Sequence, residues 1–513
     1  MDHHVRWPPH DADHLLVDAA QMLALEQALF RSGLPQAALM EKVGLAMTER
    51  LLTRPDLLRE GVLVLVGPGH NGGDGLVVAR SLHACGIHVR LWIPLPVRRE
   101  LTASHLQHAR WLGLDSVSDP PDPRESCLWI DAVFGLGQTR PLPPLLADLF
   151  DRRQVHQPNH LVSLDLPSGL CSDSGLPIQG KAATAGLTLC VGLRKRGVCF
   201  DSALPFVGEV ERIDLGLADH QIQALPLDLP LRFGAADLDS LPFPPLARTS
   251  SKYARGRVLI VAGSDAYRGA AALALQGALA SGCGSVQAVI PGAVAEGLWQ
   301  SMPEVVCRSD SSPPALERLD AVLFGPGLGR DPSVWSQWST SLRCFAGLLV
   351  LDADGINALA ATGQGRQWLR ERSGPTWLTP HRAEFQRLFG DIGGGDPLRD
   401  VMLAARSSGA TVLLKGAHSV IGDAQERALL MDGTSPLVAR TGFGDLLAGF
   451  AAGHGAMWRA SGHKPRPAML AAAALLHAQS VSISSSGRPS ELGECLEKLV
   501  FAQMKKMSRV NKI

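Results

Sequence analysis

Residues 61–82 read GVLVLVGPGHNGGDGLVVARSL and combine an apolar run, a glycine-rich segment and a helix-like segment. The run at 61–66 is rich in valine and leucine and leads straight into glycines, which is typical of a buried strand in a parallel sheet. We expect a helix at LVVARSL, 76–82, with its free N–H groups facing a phosphate. We expect the glycines before it, at 67, 69, 72, 73 and 75, to adopt positive φ and to let the backbone approach a ligand.

The same alternation of short apolar runs and alanine-rich, helix-like segments continues along the whole chain. Further strands of the first half are predicted at 88–93, 127–134, 160–166 and 186–192. Strands of the second half are predicted within 256–264, 285–291, 318–329, 346–355, 376–380 and 410–416. This rhythm is typical of α/β folds in which helices cover a mostly parallel sheet. The two halves share no sequence repeat, so we predict two different α/β domains.

The domain boundaries are predicted from length and from proline. A chain of 513 residues exceeds what one hydrophobic core usually serves. We predict a first domain at 1–220, a leucine- and proline-rich linker at 221–245, and a second domain at 246–513. The tail after about residue 484 is polar and ends with KKMSRVNK, so we expect a frayed, solvated terminus.

Composition excludes several classes of partner. Lys plus Arg and Asp plus Glu number 49 each, so no overall charge recruits nucleic acid or an anionic membrane. The nine cysteines are scattered and form no CxxC pair, which argues against a zinc site and for free thiols in a reducing compartment. No signal peptide or membrane-spanning run is recognised, so a cytoplasmic protein is expected.

Two glycine motifs of the first half match nucleotide-binding signatures only in part. Gly67, Gly69 and Gly72 satisfy GxGxxG, but the next predicted strand ends without the acid that would bind a ribose, which argues against a dehydrogenase. GLPIQGKA, 175–182, has the spacing of a phosphate-binding loop, but Ala182 replaces the hydroxyl residue and no apolar strand precedes it.

Three further segments each place polar groups after a predicted strand, where α/β sheets gather ligands. They are DAVFGLGQTRPL (131–142), VSLDLPSGLCSDSG (162–175) and GLRKRG (192–197). Together with GPGHNGGDG, these segments resemble the NAD(P)H-hydrate epimerase family over roughly residues 15–217, in the same order. The resemblance implies a Rossmann-like three-layer αβα domain.

The epimerase resemblance also implies site residues. It implies a potassium ion between Asn71, Asp131 and Ser168, whose oxygen ligands suit a hard cation. It implies that the hydrated nicotinamide nucleotide contacts Asp165 and two segments, with the residues His70, Asn71, Gly72, Gly73, Asp74, Gly135, Leu136, Gly137, Gln138, Thr139, Arg140 and Pro141. Asp165 is the predicted acid–base catalyst, with Lys195 as its partner or as a phosphate contact. The alternative for Asp165 is a turn cap before Pro167.

The first half departs from the family pattern at two positions. His70 stands where the family usually has Asn, so one contact with the ligand differs. Cys171 stands where the family often has Asp.

The second half contains PLVARTGFGDLLAGF, 436–450, a glycine turn followed by an apolar helix. Gly442 and Gly444 open backbone N–H groups towards an anion, and Asp445 lies at the helix N-terminus as a base. Companion segments lie at 252–286, 323–329, 349–359, 378–385 and 412–421. The set is similar to the ADP- or ATP-dependent NAD(P)H-hydrate dehydratase family over roughly residues 245–480, which implies a ribokinase-like αβα domain.

The dehydratase resemblance implies that Ala270, Gly327, His381 and Asp445 contact the hydrated dinucleotide. It implies that magnesium and an adenine nucleotide bind the second domain, with Lys415, Gly416, Ala417, His418, Ser419 and Gly444 holding the nucleotide. Asp445 would deprotonate the C6 hydroxyl as phosphate is transferred to it.

Some of these residues have alternative explanations. His381 could cap a helix, and Lys415 could be a solvated strand end. Asp352 and Asp354 could be turn formers or magnesium ligands and stay unassigned.

The second half also departs from its family. Thr441 and Phe443 stand where the family has Gly and Ser or Thr, and Ser251 stands where a His commonly precedes the lysine. Phe443 removes a hydroxyl and adds bulk beside the predicted anion site.

The combined interpretation is an enzyme that repairs hydrated NADH and NADPH in two steps. The first domain would interconvert the R and S epimers at C6, and the second would dehydrate the S epimer at the expense of ADP or ATP. Two alternatives stay open, namely a small-molecule kinase of ribokinase type and a non-catalytic nucleotide-binding protein. The alanine-rich apolar run at 470–478 suggests packing that includes a partner subunit, so a homo-oligomer is expected.

Overall fold

The computed structural model describes residues 7–244, 249–308, 311–433 and 435–510. It divides into two compact units. The first comprises His10–Leu229, and the second comprises 7–9 with the described residues from Pro230 onwards. No described helix combines the length and the apolar character needed to cross a membrane.

The first unit alternates strands and helices as predicted. Its strands are β1 Leu16–Val17, β2 Val62–Val66, β3 Val89–Trp92, β4 Asp115–Val117, β5 Leu128–Ala132, β6 Leu161–Leu164, β7 Leu187–Val191, β8 Arg194–Lys195 and β9 Glu209–Ile213. Its helices are α1 Ala19–Arg31, α2 Gln36–Leu52, α3 Pro55–Leu58, α4 His70–Ala84, α5 Glu100–Trp111, α6 Pro144–His156, α7 Leu204–Val207 and α8 Asp219–Gln223.

The main sheet of the first unit has seven parallel strands in the order β4-β3-β2-β5-β6-β7-β9. The strand order reverses between β2 and β5, and ligands of such sheets bind at the carboxyl ends beside that reversal. A separate two-stranded sheet pairs β1 with β8 in parallel.

Alternating side chains of β2 face helices on opposite sides of this sheet. Leu63 and Leu65 pack in one buried cluster with Leu146 and Phe150 of α6. On the other face, a Cβ added to Gly75 of α4 would lie 3.3 Å from Val64. Because neighbouring strand residues point to opposite faces, α4 and α6 cover the two sides. The predicted Rossmann-like three-layer architecture is confirmed.

The glycine-rich segment differs from its prediction. Helix α4 begins at His70, six residues earlier than expected, and none of the glycines between 67 and 75 has positive φ. They are required for close packing instead. A Cβ at Gly67 would lie 1.8 Å from the Val133 carbonyl oxygen, and a Cβ at Gly72 would lie 2.1 Å from the Gly67 carbonyl oxygen. The prediction of positive φ was wrong because these residues are extended or helical.

The second unit repeats the alternation. Its strands are β10 Leu231–Phe233, β11 Arg257–Val261, β12 Ser285–Val289, β13 Val306–Arg308, β14 Ala321–Phe324, β15 Leu348–Leu351, β16 Thr376–Leu378, β17 Thr411–Leu414, β18 Val420–Gly422 and β19 Leu429–Met431. Its helices are α9 Arg268–Ala280, α10 Gly292–Leu298, α11 Pro332–Cys344, α12 Asp354–Ala361, α13 Gly365–Arg370, α14 Arg382–Phe389, α15 Pro397–Ser408, α16 Phe443–Ala460, α17 Pro467–Gln479 and α18 Pro489–Val510.

These strands form a ten-stranded sheet in the order β10-β19-β18-β17-β16-β15-β14-β11-β12-β13. Only the β17–β18 and β18–β19 pairs are antiparallel. Phe324 faces α11, where its ring lies 5.8 Å from that of Trp335. Leu348 faces α16, where it lies beside Gly455. Its partner in the sheet is Ala321, which is three residues before Phe324 on the same strand. Residues an odd number of positions apart point to opposite faces, so Leu348 and Phe324 face opposite sides of the sheet. Helices cover both faces, as expected for the ribokinase-like αβα domain.

Two peripheral segments are more ordered than the sequence indicates. β10 lies within the segment interpreted as a linker and pairs in parallel with β19, with Leu231 and Phe233 buried. The tail interpreted as frayed contains α18, in which Leu492, Leu496 and Val500 are buried at helical spacing. The prediction of a frayed tail was wrong because an apolar stripe is hidden among its charges.

Candidate functional sites

Asp131 and Ser168 lie buried together at the carboxyl edge of the first sheet. Asp131 is the last residue but one of strand β5, and Ser168 follows β6. The Ser168 hydroxyl donates to Asp131 Oδ1 at 2.6 Å, and the Ser168 N–H donates to Oδ2 at 2.8 Å. Burial raises the pKa of Asp131 above its ordinary value, although the Ser168 donors oppose that rise. Two of the three predicted potassium ligands are therefore in direct contact.

The third, Asn71, is the second residue of α4. Its side-chain oxygen and nitrogen are both buried and have no hydrogen-bond partner among the residues that the structure describes. A Cβ added to Gly135 would lie 3.2 Å from Asn71 Cγ and 3.0 Å from Asp165 Oδ2, so these side chains flank the same glycine. A buried amide oxygen without a donor is costly unless a ligand satisfies it. The residues present therefore fit a hard monovalent cation.

Asp165 accepts three hydrogen bonds from residues that are more than twenty positions away from it in the sequence. The Leu136 N–H donates to Oδ2 at 2.8 Å, and the Val191 N–H and Lys195 Nζ donate to Oδ1 at 3.3 and 2.5 Å. Asp165 also has a φ of 66°, a conformation that costs energy in a residue with a side chain. These contacts contradict the alternative of a local turn cap before Pro167.

Lys195 is only 1% exposed and also donates to the Val191 carbonyl at 2.6 Å. Burial would lower the pKa of Lys195, but the adjacent Asp165 carboxylate outweighs burial and holds that pKa above its ordinary value. The Lys195 ammonium group therefore stays charged beside the Asp165 carboxyl group.

Two further carboxyl groups act on this pair. Burial, followed by the charge of Asp165, raises the pKa of Asp74 well above its ordinary value. The same two causes raise the pKa of Glu26 to about 7, while Lys195 opposes the rise. Asp74 was predicted as a substrate contact. Glu26 was missed, because it lies in α1, far from the motifs, and no local pattern marks it.

The remaining predicted substrate contacts of the first unit lie in the turn after β5 and at the start of α4. Gln138 accepts from the Gly169 N–H at 2.8 Å, which ties that turn to the loop holding Ser168. Gly137, Thr139, Arg140 and Pro141 are exposed. His70 begins α4, and burial lowers its pKa, as does Arg99. Its Nδ1 is buried without a partner among the described residues.

In the second unit, Asp445 lies in the first turn of α16, whose N-cap Gly442 has a φ of 95°. Burial, followed by the charge of Asp352, raises the pKa of Asp445 to about 6, and Lys415 opposes the rise. A Cβ added to Gly444 would lie 3.3 Å from Lys415 Nζ, so the glycine turn faces that lysine.

Lys415 is held by a buried carboxylate that the sequence left unassigned. Its Nζ donates to Asp352 Oδ1 at 2.7 Å, and the Thr379 hydroxyl donates to the same oxygen at 2.9 Å. Burial would lower the pKa of Lys415, but Asp352 raises it overall. The alternative of a solvated strand end was wrong. Asp354 instead accepts from the Gly329 N–H at 2.8 Å.

Two cavities of the second unit share His381. One, of about 480 Å³, is lined by Lys415, Gly416, Ser419 and Gly444. The other, of about 610 Å³, is lined by segments around 329–336 and 354–362. His381 lines both, and its Nδ1 also caps α14 by accepting from the Ala383 N–H at 3.1 Å. The helix-capping alternative is thus correct, but it does not remove this histidine from the cavities.

The other predicted contacts of the second unit are the hydrate contacts Ala270 and Gly327 and the nucleotide contacts Ala417 and His418. A Cβ added to Gly327 would lie 2.7 Å from Ala270 Cβ, so these two residues are neighbours as predicted. Ala417 and His418 lie in the turn between β17 and β18, and Ala417 is exposed. Ser251, the departure before Lys252, accepts from the Ala254 N–H at 3.3 Å.

Phe443 does not project freely into the glycine turn. It is 4% exposed and packs in a buried cluster with Leu446, Val481 and Leu492. Its ring also meets the edge of His477 at 5.9 Å. The bulk at this position is therefore accommodated by an apolar cluster to which α18 contributes.

Comparison with known proteins identifies both halves. A family model described as YjeF-related protein N-terminus matches residues 36–197, and one described as NAD(P)H-hydrate dehydratase matches residues 258–486. Among solved structures, an ADP/ATP-dependent NAD(P)H-hydrate dehydratase from Bacillus subtilis, co-crystallised with ATP and Mg²⁺, is 24% identical. It covers 53% of this chain and 96% of its own, with a TM-score of 0.44.

Relatives extend over most of the chain. The bifunctional NAD(P)H-hydrate repair enzyme Nnr of Synechocystis is 39% identical over 452 residues, covering 85% of each chain. The enzyme of the same name from Gloeobacter violaceus is 38% identical over 488 residues, covering 89% of this chain and 91% of its own. The chain therefore belongs to the family of bifunctional NAD(P)H-hydrate repair enzymes.

Proposed function

We propose that this chain returns hydrated NADH and NADPH to their active forms, using 1–220 as an epimerase domain and 246–513 as a nucleotide-dependent dehydratase domain. One observation carries the proposal for the second domain. Asp445, Gly444 and the Lys415–Asp352 pair lie together beside a cavity that shares His381 with a second cavity. Two adjoining cavities are what a two-substrate transfer reaction needs.

In the dehydratase domain, Asp445 removes the proton from the C6 hydroxyl as that oxygen attacks the terminal phosphorus of the nucleotide. Lys415 and the Gly444 N–H stabilise the charge that develops on the transferred phosphoryl group. Phosphate then leaves C6, the adjacent ring carbon loses a proton, and the ring double bond forms. A nucleotide is consumed because phosphate is a far better leaving group than hydroxide.

The nucleotide binds the cavity lined by Lys415, Gly416, Ser419 and Gly444, with Ala417 and His418 at its turn. The hydrate binds against Ala270, Gly327 and His381. Magnesium, when bound with the nucleotide, neutralises phosphate charge. The nucleotide is ADP or ATP.

In the epimerase domain, Asp165 is the base, and Lys195 donates a hydrogen bond to its carboxyl group. The hydrate contacts the start of α4, from His70 to Asp74, and the turn from Gly135 to Pro141. Asn71, Asp131 and Ser168 would hold potassium, which would supply a positive charge beside the substrate. The buried side-chain oxygen of Asn71, which accepts no hydrogen bond from the described residues, supports that assignment.

The test is a mixture of R and S hydrates incubated with the protein, potassium, magnesium and either ADP or ATP. We expect recovery of the near-ultraviolet absorbance of reduced nicotinamide, and complete recovery only if both epimers are consumed. A stable phosphorylated product would instead indicate a kinase. Nucleotide binding in calorimetry without turnover would indicate a non-catalytic protein.

A homo-oligomeric state and a cytoplasmic location stay predictions from the sequence. Light scattering of the purified chain tests the first, and fractionation of cells that express it tests the second. A monomeric mass would contradict the oligomer.

A further inference from the structure

Glu26 is an unassigned carboxyl group beside the Asp165–Lys195 pair. It lies in α1, ten residues before the match with the family model begins. Of the charges that act on it, the strongest come from Asp165 and Lys195. Glu26 thus belongs to the first site by position, although no motif includes it.

Its position follows from the pairing of two short strands. Val17 of β1 is in register with Lys195 of β8, and α1 starts two residues later behind its N-cap Asp18. Met22 then packs on the turn before β8, since its sulfur would lie 3.0 Å from a Cβ on Gly192. Glu26 is one helical turn after Met22 and therefore lies on the same face of α1.

The bonding of Glu26 contrasts with that of its neighbours. Within the described part of the chain, no donor is hydrogen-bonded to the half-buried Glu26 carboxyl group, whereas Asp165 accepts three hydrogen bonds. The one lysine of the cluster, Lys195, is already paired with Asp165. Glu26 and Asp74 therefore share a site in which a further negative charge is unfavourable.

The chemistry at C6 of the hydrate requires two proton-transfer groups. C6 carries both a hydroxyl group and the ring nitrogen, so its configuration inverts when the C6–N bond breaks, a carbonyl forms and the nitrogen adds back to the other face. Ring opening moves the hydroxyl proton to a base, while an acid delivers a proton to the nitrogen. Ring closure returns both protons, so one carboxylate and one carboxylic acid complete the cycle without another reagent.

We propose that Glu26 is this acid and works opposite Asp165, the base. The proposal rests on the proposed epimerase function. Lys195 is hydrogen-bonded to Asp165, whereas Glu26 has no such partner, and its pKa of about 7 leaves part of the Glu26 population protonated near neutral pH. Asp74 retains its proton too strongly to release it as readily, because its pKa is raised well above the ordinary value by burial and by both other carboxylates.

The experiment follows R-to-S conversion by proton NMR without nucleotide, over a range of pH, in wild type, Glu26→Gln and the exposed control Gln27→Ala. We expect wild type and Gln27→Ala to lose activity as pH rises through about 7, because Glu26 must be protonated. We expect Glu26→Gln to be at least about 100-fold slower and to lack this alkaline limb. Dehydration of S hydrate with ADP should be unchanged in all three, which reports that the second unit is folded. An unchanged circular dichroism spectrum and melting temperature should report that the first unit is folded.

The outcomes separate the two proposals. If wild type does not interconvert the epimers, the epimerase function and the role of Glu26 are both wrong. If wild type does so and Glu26→Gln has the same rate and pH profile, only the role of Glu26 is wrong. If Glu26→Gln loses dehydration as well, Glu26→Asp decides. The Glu26→Asp variant keeps a carboxyl group, so it should epimerise and lose activity at high pH. If it epimerises at a rate that does not fall at high pH, the role of Glu26 is wrong.

Discussion

The pH dependence of dehydration is the sharpest test of the second site. Asp445 must be ionised to act as a base, and its pKa is raised to about 6 from an ordinary value of 3.8. At about pH 7 some nine-tenths of Asp445 is ionised, and at about pH 5 only about one-tenth. The rate at saturating S hydrate and ADP should therefore fall about tenfold between these pH values. An aspartate with an ordinary pKa would lose less than about a tenth of its activity over that range.

The cause of the raised pKa can be tested in the same assay. Burial is the largest cause, and the charge of Asp352 is the next. Replacing Asp352 by Asn removes that charge, so the acid limb should move to lower pH, together with a loss of maximal rate because Lys415 loses its partner. Asp165→Asn, in the other unit, should leave the limb unchanged.

Either of two results would refute this reasoning. A wild-type rate that stays constant between about pH 5 and pH 7 would mean that Asp445 is not the base or that its pKa is not raised. An acid limb that moves to higher pH in Asp352→Asn would mean that the two carboxylates do not interact as described.

Further predictions concern both units. Asp165→Asn should abolish interconversion of the epimers and spare dehydration of the S epimer, measured by NMR, and loss of both activities would contradict separate sites. Replacing potassium by a choline salt should slow epimerisation, and Ser168→Ala should weaken the dependence on potassium; equal rates in both salts would contradict the cation site. Phe443→Ala should lower the free energy of unfolding of the second unit by about 3–5 kcal/mol in chemical denaturation, because a buried ring is lost. The exposed control Leu437→Ala should cost far less.

The sequence predicts the central strands well because each is buried on both faces and is therefore a nearly uninterrupted apolar run. β2, β5, β6 and β7 of the first unit each lie inside their predicted ranges. Shorter strands were missed. β10 has three residues. It is a strand only because it pairs with β19, which lies almost two hundred residues later in the chain. No local pattern contains that information.

The sites were predicted where function depends on local motifs and missed where it depends on distant pairing. Asp131 and Ser168 lie in glycine-containing segments at strand ends and do meet. Glu26 carries no such signal, since strands brought alongside it create its environment. Asp352 follows β15 in the companion segment 349–359, but its role stayed unassigned because its partner Lys415 lies 63 residues later. The glycines of 67–75 were correctly recognised as special but for the wrong reason, because tight packing and positive φ both select glycine.

The contact between α9 and α16 has a mechanical consequence. A Cβ on Gly449 would lie 1.8 Å from the Ala274 carbonyl oxygen, and a Cβ on Gly277 would lie 2.1 Å from that of Leu446. With backbone pressed on backbone, the two helices cannot slide past each other without a clash. Ala270 and Asp445 lie in the first turns of α9 and α16, so this helix contact fixes the proposed proton acceptor relative to the proposed hydrate contact.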